Sequence, residues 1–370
     1  MYNGRDPMIE LQHNERYIMR NGGKNVNSKA KGVVALILAV AVLANVGIFA
    51  KMSYNKTHTA QETIVFRVGD TVASDHPISQ ALYIFEEELE RISNGRFDVR
   101  VYINSALGGD RQQTESVVLG YLQGNTPPTS VLAGFDTRFM VVDLPFVFKS
   151  GEAAMKTLNG DLGEELNPIL NDLGLHAMGW TESGYRHITT NNIEATTPAA
   201  LKGLSIRTQE NPIHMASFQA WGASPTPMAF SELFTALQQG AVDAEENPLA
   251  VITANRLYEV QNTVTLTGHF YTAGIFNINK DFYESLEGQD KEWFDEASAH
   301  FVENLTQLIR DAQEGYIQLL KDNGINVVEV TSEQKDAFIE SAASVYDLFI
   351  EKYGGTQELI DLAMKYNDDF

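Results

Sequence analysis

The feature that most constrains the fold is a long helical pattern near the C-terminus. From about Asp290 to Asp322, apolar residues recur at helical spacing with little interruption. At about 1.5 Å per residue, such a helix extends on the order of 50 Å. One lobe of a small α/β protein is narrower than that, so we expect the helix to cross from one lobe to a second. Further helices are predicted at 332–353 and 356–366.

The rest of the chain alternates short strands with short helices. Strands are predicted at 63–70 and 97–103, with a helix between them. Another helix begins near Asp110, which is placed to cap it with Gln113 as a capping-box partner. A second strand–helix–strand–helix–strand unit occupies Gly203–Glu246. Because this rhythm is typical of parallel pairing, the sequence predicts an α/β fold with mixed, mainly parallel sheets and a long inter-lobe helix.

An uncharged apolar run, Val33–Ala50, precedes this region. It follows a basic leader, residues 1–32, as in export signals that keep their positive side in the cytoplasm. The run is also just long enough to span a bilayer, so a cleaved signal peptide and a retained signal-anchor both stay open. A buried core helix is less favoured because no polar stripe interrupts the run.

The export pattern also predicts where the rest of the chain resides. Residues 51–62 are polar and indicate a linker. We expect the chain beyond them to be extracytoplasmic, in the periplasm or at the outer face of the cytoplasmic membrane. Residues 33–50 are then a possible membrane tether.

Composition excludes several kinds of partner and chemistry. A net charge of -22 argues against a nucleic acid or an anionic membrane surface as partner. The chain has no cysteine, which removes disulfides, thiolate catalysis and cysteine metal sites. The eight histidines are scattered, and no H-E-x-x-H, P-loop, G-x-S-x-G or G-x-G-x-x-G motif is present.

The adjacent carboxylates Glu245 and Glu246 do not form an acid/base pair either, because neighbours in an extended segment point to opposite faces. We therefore predict no enzymatic activity, no cofactor and no metal site. An enzyme acting on a carboxylated sugar is the least favoured alternative.

One arginine follows an apolar strand directly. In KGLSIRTQENP, Lys202–Pro212, the predicted strand Leu204–Ile206 ends at Arg207. The side chains at such a strand end can reach a cleft in an α/β protein. Arginine stays charged, and its planar fork matches a carboxylate. Arg207 is thus either the counter-charge for a ligand carboxylate or a surface cation paired with Glu210.

A series of segments resembles the DctP-type substrate-binding proteins of tripartite ATP-independent periplasmic (TRAP) transporters. The segments are GYRHITTN, LKGLSIRTQENP, GASPTPMAFSELFTALQQGAVDAEENPL and YEVQNTVTLTGH, with NGRFDVRVYINSALGGDRQQTESVVLG and VVDLPFVF upstream. The resemblance covers nearly the whole chain from about Thr63. It implies a receptor that closes around a small organic anion and delivers it to a membrane permease.

The resemblance also implies a two-lobed, periplasmic-binding-protein-like fold. Lobe I would comprise 63–184 and about 274–310, and lobe II would comprise 185–273 and about 311–370. A membrane-tethered sensor or scavenging module that works without a transporter is the alternative function.

Five ligand-binding residues follow from the same resemblance. Arg207 would form a two-pronged salt bridge to the ligand carboxylate, and Arg186, Asn247, Phe230 and Asp110 would line the pocket. Asn247 can donate and accept, and Phe230 supplies an apolar wall. Each has a structural alternative: Arg186 bracing a lobe through a local carboxylate, Phe230 in the core, Asn247 in a turn, and Asp110 as a helix cap.

The chain departs from the family pattern at three places. Arg-Thr-Gln replaces the common RVP, and DAEENP replaces the frequent DGQENP. Sialic-acid-binding relatives carry charged pocket residues near GNTPPTSVL, where this chain has Thr126, Pro127, Pro128 and Thr129. The expected ligand is therefore a smaller carboxylate, such as a C4-dicarboxylate, a hydroxy acid or a sugar acid such as a hexuronate.

Overall fold

The computed structural model describes residues 62–370, which alternate strands and helices as predicted. The strands are β1 (Ile64–Gly69), β2 (Phe97–Tyr102), β3 (Gly124–Asn125), β4 (Leu175–Thr190), β5 (Ser205–Thr208), β6 (Ser224–Pro227), β7 (Glu245–Pro248), β8 (Thr263–Leu266), β9 (Tyr271–Asn279) and β10 (Asn326–Glu329). The predictions for 1–32, for 33–50 and for the linker up to residue 61 lie outside the described residues.

Thirteen α-helices connect the strands in this part of the chain. They are α1 (Pro77–Ile92), α2 (Asp110–Val118), α3 (Thr129–Leu132), α4 (Gly151–Leu158), α5 (Asp161–Asp172), α6 (Pro212–Ala220), α7 (Phe230–Gln238), α8 (Leu249–Ala254), α9 (Lys280–Ser285), α10 (Gly288–Asp322), α11 (Ser332–Ser341), α12 (Ala343–Tyr353) and α13 (Gln357–Met364). Short 3₁₀ helices occur at Thr137–Asp143, Pro198–Leu201 and Leu257–Glu259. Over residues 62–370, no helix is both long and apolar enough to cross a membrane.

The large sheet is organised around β4. Its strand order is β10-β8-β4-β9-β3-β1-β2, with β7 also paired to β4, and β5 and β6 form a separate pair. The first part of β4 pairs with β9, and its last part, from Arg186 on, pairs with β7 and β8. The register of β4 against β9 shifts between Ala177 and Gly179 and again between Glu182 and Gly184. Such bulges bend a strand, which lets β4 serve both halves of the sheet.

The mixed α/β class is confirmed, but the parallel majority is not seen. Among the described strands, β1–β2, β1–β3, β5–β6 and β8–β10 are parallel. The pairs β3–β9, β4–β7, β4–β8 and β4–β9 are antiparallel. The long strand β4 pairs antiparallel with both β8 and β9, so the numbers of parallel and antiparallel strand pairs are equal. The division into lobes I and II stays a prediction.

The long helix is confirmed as α10, which has 35 residues. At about 1.5 Å per residue it extends about 50 Å. Its buried residues fall at helical spacing and include Phe294, Phe301 and Ile309. The helix packs on α1 and β4 and also contacts α8 and β10. It therefore contacts elements on both sides of the large sheet's central strand.

The start of α2 differs from the prediction. The N-cap is Gly109, and Asp110 is the first residue of the helix. The side chain of Gln112, rather than Gln113, returns to accept from the Gly109 N–H at 2.9 Å. Gln113 instead donates to the Gly108 carbonyl at 2.8 Å. A carboxylate in the first turn is still favoured by the helix dipole, so Asp110 keeps a position that suits its charge.

Candidate functional site

Two adjoining cavities bring the predicted site residues together. The first cavity is lined by Arg186, Asn247, Phe230 and Asp110 among others. The second cavity is lined by Arg207. Asp110, Gln209 and Phe230 line both cavities, so the two are neighbours.

The side chains come from the ends of strands and the starts of helices. Arg186 lies where β4 changes partner, and Asn247 lies opposite His187 of β4 in the β4–β7 register. Arg207 is in β5, and Phe230 is the first residue of α7. Asp110 is the first residue of α2. Strand ends and helix starts leave backbone groups and side chains free to face a cleft, which is why sites collect there.

Arg207 is buried and only partly satisfied. Its side chain is 1% exposed, and its Nε and Nη2 donate to the Met228 carbonyl at 3.1 and 2.9 Å. Its Nη1 is buried with no hydrogen-bond partner among the described residues. Burial lowers the pKa of Arg207 to about 10, which leaves the side chain charged at neutral pH. The alternative of a surface cation paired with Glu210 is therefore wrong.

Arg186 is instead fully engaged by protein groups. Its Nε bonds the carboxylate of Glu246, and its Nη2 bonds both that carboxylate, at 3.0 Å, and the Asn247 side-chain oxygen, at 3.0 Å. Its Nη1 donates to the Thr272 hydroxyl at 3.1 Å. Both members of the Arg186–Glu246 ion pair are buried. The bracing carboxylate that the sequence left as an alternative is thus present, although Arg186 still lines the first cavity.

Glu246 is the centre of this buried network, and sequence reasoning missed its role. His269 contacts the Glu246 carboxylate at 3.2 Å, and His214 lies 3.8 Å from it. Burial acts to raise the pKa of Glu246, but the charge of Arg186 and the hydrogen bond from His269 outweigh it. The pKa is therefore held well below its usual range. The signal available in the sequence was only the ENP motif, which does not indicate a partner sixty residues away.

Asn247 and Glu245 form a second buried contact beside that network. The Asn247 amide donates to a Glu245 carboxylate oxygen at 2.6 Å, and Thr189 donates to the other at 2.8 Å. Glu245 has a different set of partners from Glu246, as expected for neighbours in a strand. Burial raises the pKa of Glu245 to about 7, against the lowering effect of these two hydrogen bonds.

The first cavity also contains two residues that sequence reasoning did not select, Asp70 and His76. Asp70 is 4% exposed, and it accepts from the Val72 N–H at 2.8 Å and from the Thr126 hydroxyl. Burial raises the pKa of Asp70 to about 7. Asp110 accepts from the Thr71 hydroxyl at 3.0 Å, and burial raises its pKa as well.

The departures at Thr126–Thr129 fall at this site. Thr126 and Pro128 line the first cavity. Thr129 is buried with a hydroxyl that has no partner in the described part of the chain. Ser130, one residue on, lines the second cavity and bonds the Gln209 side chain. Across residues 62–370, no group of side chains has the composition of a metal site.

Comparisons with known proteins agree with this architecture. Residues 68–352 match the model of the DctP family, described as bacterial extracellular solute-binding protein, family 7. The chain is 32% identical to the C4-dicarboxylate-binding periplasmic protein DctP of Rhodobacter capsulatus over 295 residues, which covers 79% of this chain and 88% of that protein.

Two solved structures share the fold. The sugar acid binding protein DctPAm from Advenella mimigardefordensis, in complex with galactonate, has a TM-score of 0.80 and 30% identity, with 83% of this chain and 98% of that chain covered. A TRAP periplasmic solute-binding protein from Polaromonas sp. JS666, bound to D-erythronate, has a TM-score of 0.77 and 33% identity, with 81% and 98% covered. This chain belongs to the DctP family of bacterial extracellular solute-binding proteins, which are receptors for transport and not enzymes.

Proposed function

We propose that this chain binds a small organic acid through Arg207 and delivers it to the membrane permease of a TRAP transporter. The observation that carries the proposal is the unpartnered Nη1 of Arg207, a buried charged donor beside a cavity. A buried donor without an acceptor costs free energy. A ligand carboxylate would remove that cost, because it can accept from the guanidinium in a paired geometry.

The other four predicted residues would shape the pocket around the ligand. Phe230 supplies an apolar wall, and its ring centroid lies 6.0 Å from the Arg207 Cζ. Asn247 presents its amide beside Arg186, and Asp110 lines both cavities. Arg186 contributes positive potential while its own hydrogen bonds are taken by Glu246, Asn247 and Thr272.

The relatives support an organic acid as the ligand class. The compared proteins are named for a C4-dicarboxylate, or were solved with galactonate or D-erythronate. All three ligands carry a carboxylate, which is the group that Arg207 would bind. Binding between two lobes would favour a closed state, and the closed receptor would then dock on the permease.

We also propose that the apolar run at 33–50 directs the chain across the cytoplasmic membrane. N-terminal sequencing of the exported protein distinguishes the two forms of this proposal. A new N-terminus near residue 50 indicates a cleaved signal peptide, and an intact leader in the membrane fraction indicates a tether.

Substitution of Arg207 tests the ligand proposal. We expect calorimetric titration of the full chain with a panel of organic acids to identify a ligand, and Arg207→Lys to weaken it at least about tenfold, since lysine lacks the fork. The variant should stay folded because lysine keeps the charge and can still donate to the Met228 carbonyl. A bound acid at 100 times its Kd should stabilise the wild type by about 2.7 kcal/mol.

Arg100→Lys is the matched control for this substitution. Arg100 is half exposed, pairs with Asp98 and lies outside both cavities. The control should therefore bind normally. Normal binding by Arg207→Lys as well would contradict the proposed clamp.

A further inference from the structure

We propose that the first cavity recognises a hydroxyl group of the ligand and excludes a second carboxylate there, so that this receptor prefers a polyhydroxylated monocarboxylate to a dicarboxylate. The recognising residues are Asp70, Asp110 and His76. The inference rests on the proposed function, because it concerns the part of the ligand beyond the carboxylate held by Arg207.

Among the described residues, the two carboxylates on one side of the first cavity, Asp70 and Asp110, form no ion pair. Each raises the energy of a negative charge on the other. Burial raises the pKa of Asp110 and outweighs the charge of Arg207, which acts to lower that pKa. Their known partners are neutral: Val72 and Thr126 for Asp70, and Thr71 for Asp110. Among residues 62–370, no basic side chain lies within ion-pair distance of either carboxylate.

A dicarboxylate would need two cations, one for each of its carboxylates. Arg186 is the basic residue of the first cavity, and its guanidinium is bonded to Glu246, Asn247 and Thr272. Arg207 lines the neighbouring cavity and has one unpartnered nitrogen, which is enough for one carboxylate. Among the described residues, the first cavity therefore leaves a second carboxylate with Asp70 and Asp110 nearby and no open arginine or lysine.

His76, which lines the same cavity, has a hydrogen-bond donor without a partner among the described residues. His76 is 0% exposed, and its Nδ1 accepts from the Ile78 N–H at 3.1 Å. Burial lowers the pKa of His76 to about 3, so the ring is neutral at physiological pH. A neutral ring whose Nδ1 accepts carries its proton on Nε2. That Nε2 is buried and has no hydrogen-bond partner among the described residues.

These observations select among ligand groups. A hydroxyl suits both kinds of group that line the first cavity, because it can donate to a carboxylate of Asp70 or Asp110 and can accept from the His76 N–H. An ammonium group could donate to the carboxylates but would leave the His76 N–H without an acceptor. A carboxylate could accept from His76. At pH 8, above the pKa of about 7 of Asp70, it would also face the negative charge of Asp70 in a desolvated place, and such juxtaposition of like charges is strongly unfavourable.

The test compares ligands that differ at one carbon. D-erythronate and meso-tartrate have the same four-carbon hydroxylated chain, and D-galactonate and galactarate have the same six-carbon chain; in each pair a terminal hydroxymethyl replaces a carboxylate. Calorimetric titration of the full chain at pH 8 measures the Kd of each. We expect the monocarboxylate of at least one pair to bind at least about tenfold more tightly than its dicarboxylate partner.

Three variants attribute the preference to the named residues. Asp70→Asn keeps an oxygen for the Val72 N–H and removes the charge, so the ratio of Kd values should shrink about tenfold. His76→Asn keeps an acceptor for the Ile78 N–H and removes the Nε2 donor, so monocarboxylate affinity should fall about tenfold. Asp75→Asn removes the charge of an exposed neighbour outside both cavities and should leave the ratio unchanged.

The outcomes separate this inference from the function on which it rests. Equal or tighter binding of the dicarboxylates, or a ratio that Asp70→Asn changes no more than Asp75→Asn, overturns the inference. The proposed function survives that result if Arg207→Lys still weakens the acids that bind. If none of these four acids binds, the inference is overturned, and the wider acid panel then decides the proposed function alone.

Discussion

The buried ion pair between Arg186 and Glu246 gives the sharpest stability prediction. Glu246→Gln removes a negative charge while keeping the size and one side-chain oxygen. In the wild type, the Arg186 side chain is 2% exposed and the Glu246 side chain is 0% exposed. Water cannot reach the guanidinium, so Arg186 becomes a buried charge without its counter-ion in this variant.

The magnitude follows from that burial. Removing one partner of a buried ion pair typically lowers the free energy of unfolding by about 3–5 kcal/mol, because the remaining charge stays desolvated. The glutamine oxygen can still accept from Arg186, so we expect a loss of about 3 kcal/mol, at the lower end. In urea this corresponds to a midpoint lower by on the order of 1 M.

The measurement is urea unfolding followed by circular dichroism, in a double-mutant cycle with Arg186→Met. In the Arg186→Met background no buried cation remains, so Glu246→Gln should cost less than about 1 kcal/mol. The pH dependence adds a second check. The folded-state pKa of Glu246 is depressed, so its contribution is present above its unfolded pKa and is lost as the pH falls toward the folded value. The difference between wild type and Glu246→Gln should therefore narrow below about pH 4.

Two results would refute this reasoning. One is a cost of less than about 1 kcal/mol for Glu246→Gln in the wild-type background at pH 7. The other is an equal cost in both backgrounds, because the effect would then not come from the pair.

Two helical glycines and one buried acid give the remaining predictions. Gly315→Ala should stabilise the fold by about 0.5–1 kcal/mol, since a Cβ there meets nothing within 4 Å. Gly163→Ala should destabilise it by more than about 2 kcal/mol, since its Cβ would lie 2.0 Å from the Leu158 carbonyl oxygen. Urea unfolding midpoints measure both changes, and a shift of the same sign for the two variants would contradict the packing. Glu245 has a folded-state pKa raised to about 7, so its contribution is complete below its unfolded pKa and is lost as the pH rises through about 7. As the pH rises from 5 to 8, the unfolding free energy of Glu245→Gln should therefore increase relative to that of the wild type by on the order of 1–3 kcal/mol, measured by thermal unfolding. If the difference between the two proteins is the same at both pH values, the Glu245 carboxyl is ionised throughout.

Strong local periodicity explains what could be predicted from the sequence. The helix expected from about Asp290 to Asp322 is α10, Gly288–Asp322, because its apolar spacing and its packing agree over many turns. The position of Arg207 at a strand end next to a cavity also followed from its neighbours in sequence. Local pattern was sufficient where the structural cause was local.

The rest of the site depends on contacts between distant residues. Asp70 meets Thr126 across 56 positions, and Arg186 meets Glu246 across 60 positions. No pattern within either segment indicates such partners, so Asp70 reads as the end of a strand and Glu246 as one of two acidic neighbours. The length of β4 was also missed, because its two bulges break the period-two alternation that identifies a strand.

The two bulges of β4 limit which insertions and deletions this strand can tolerate. Met178 and Ser183 are the extra residues that β4 inserts against β9. Each one inverts the parity with which later side chains alternate between the faces of the sheet, and the pair restores it before Arg186. Deletion of either residue alone would turn Arg186 away from Glu246, whereas a substitution at either would not. In this strand the number of residues is under stricter constraint than their identity, and insertions or deletions should survive only in compensating pairs.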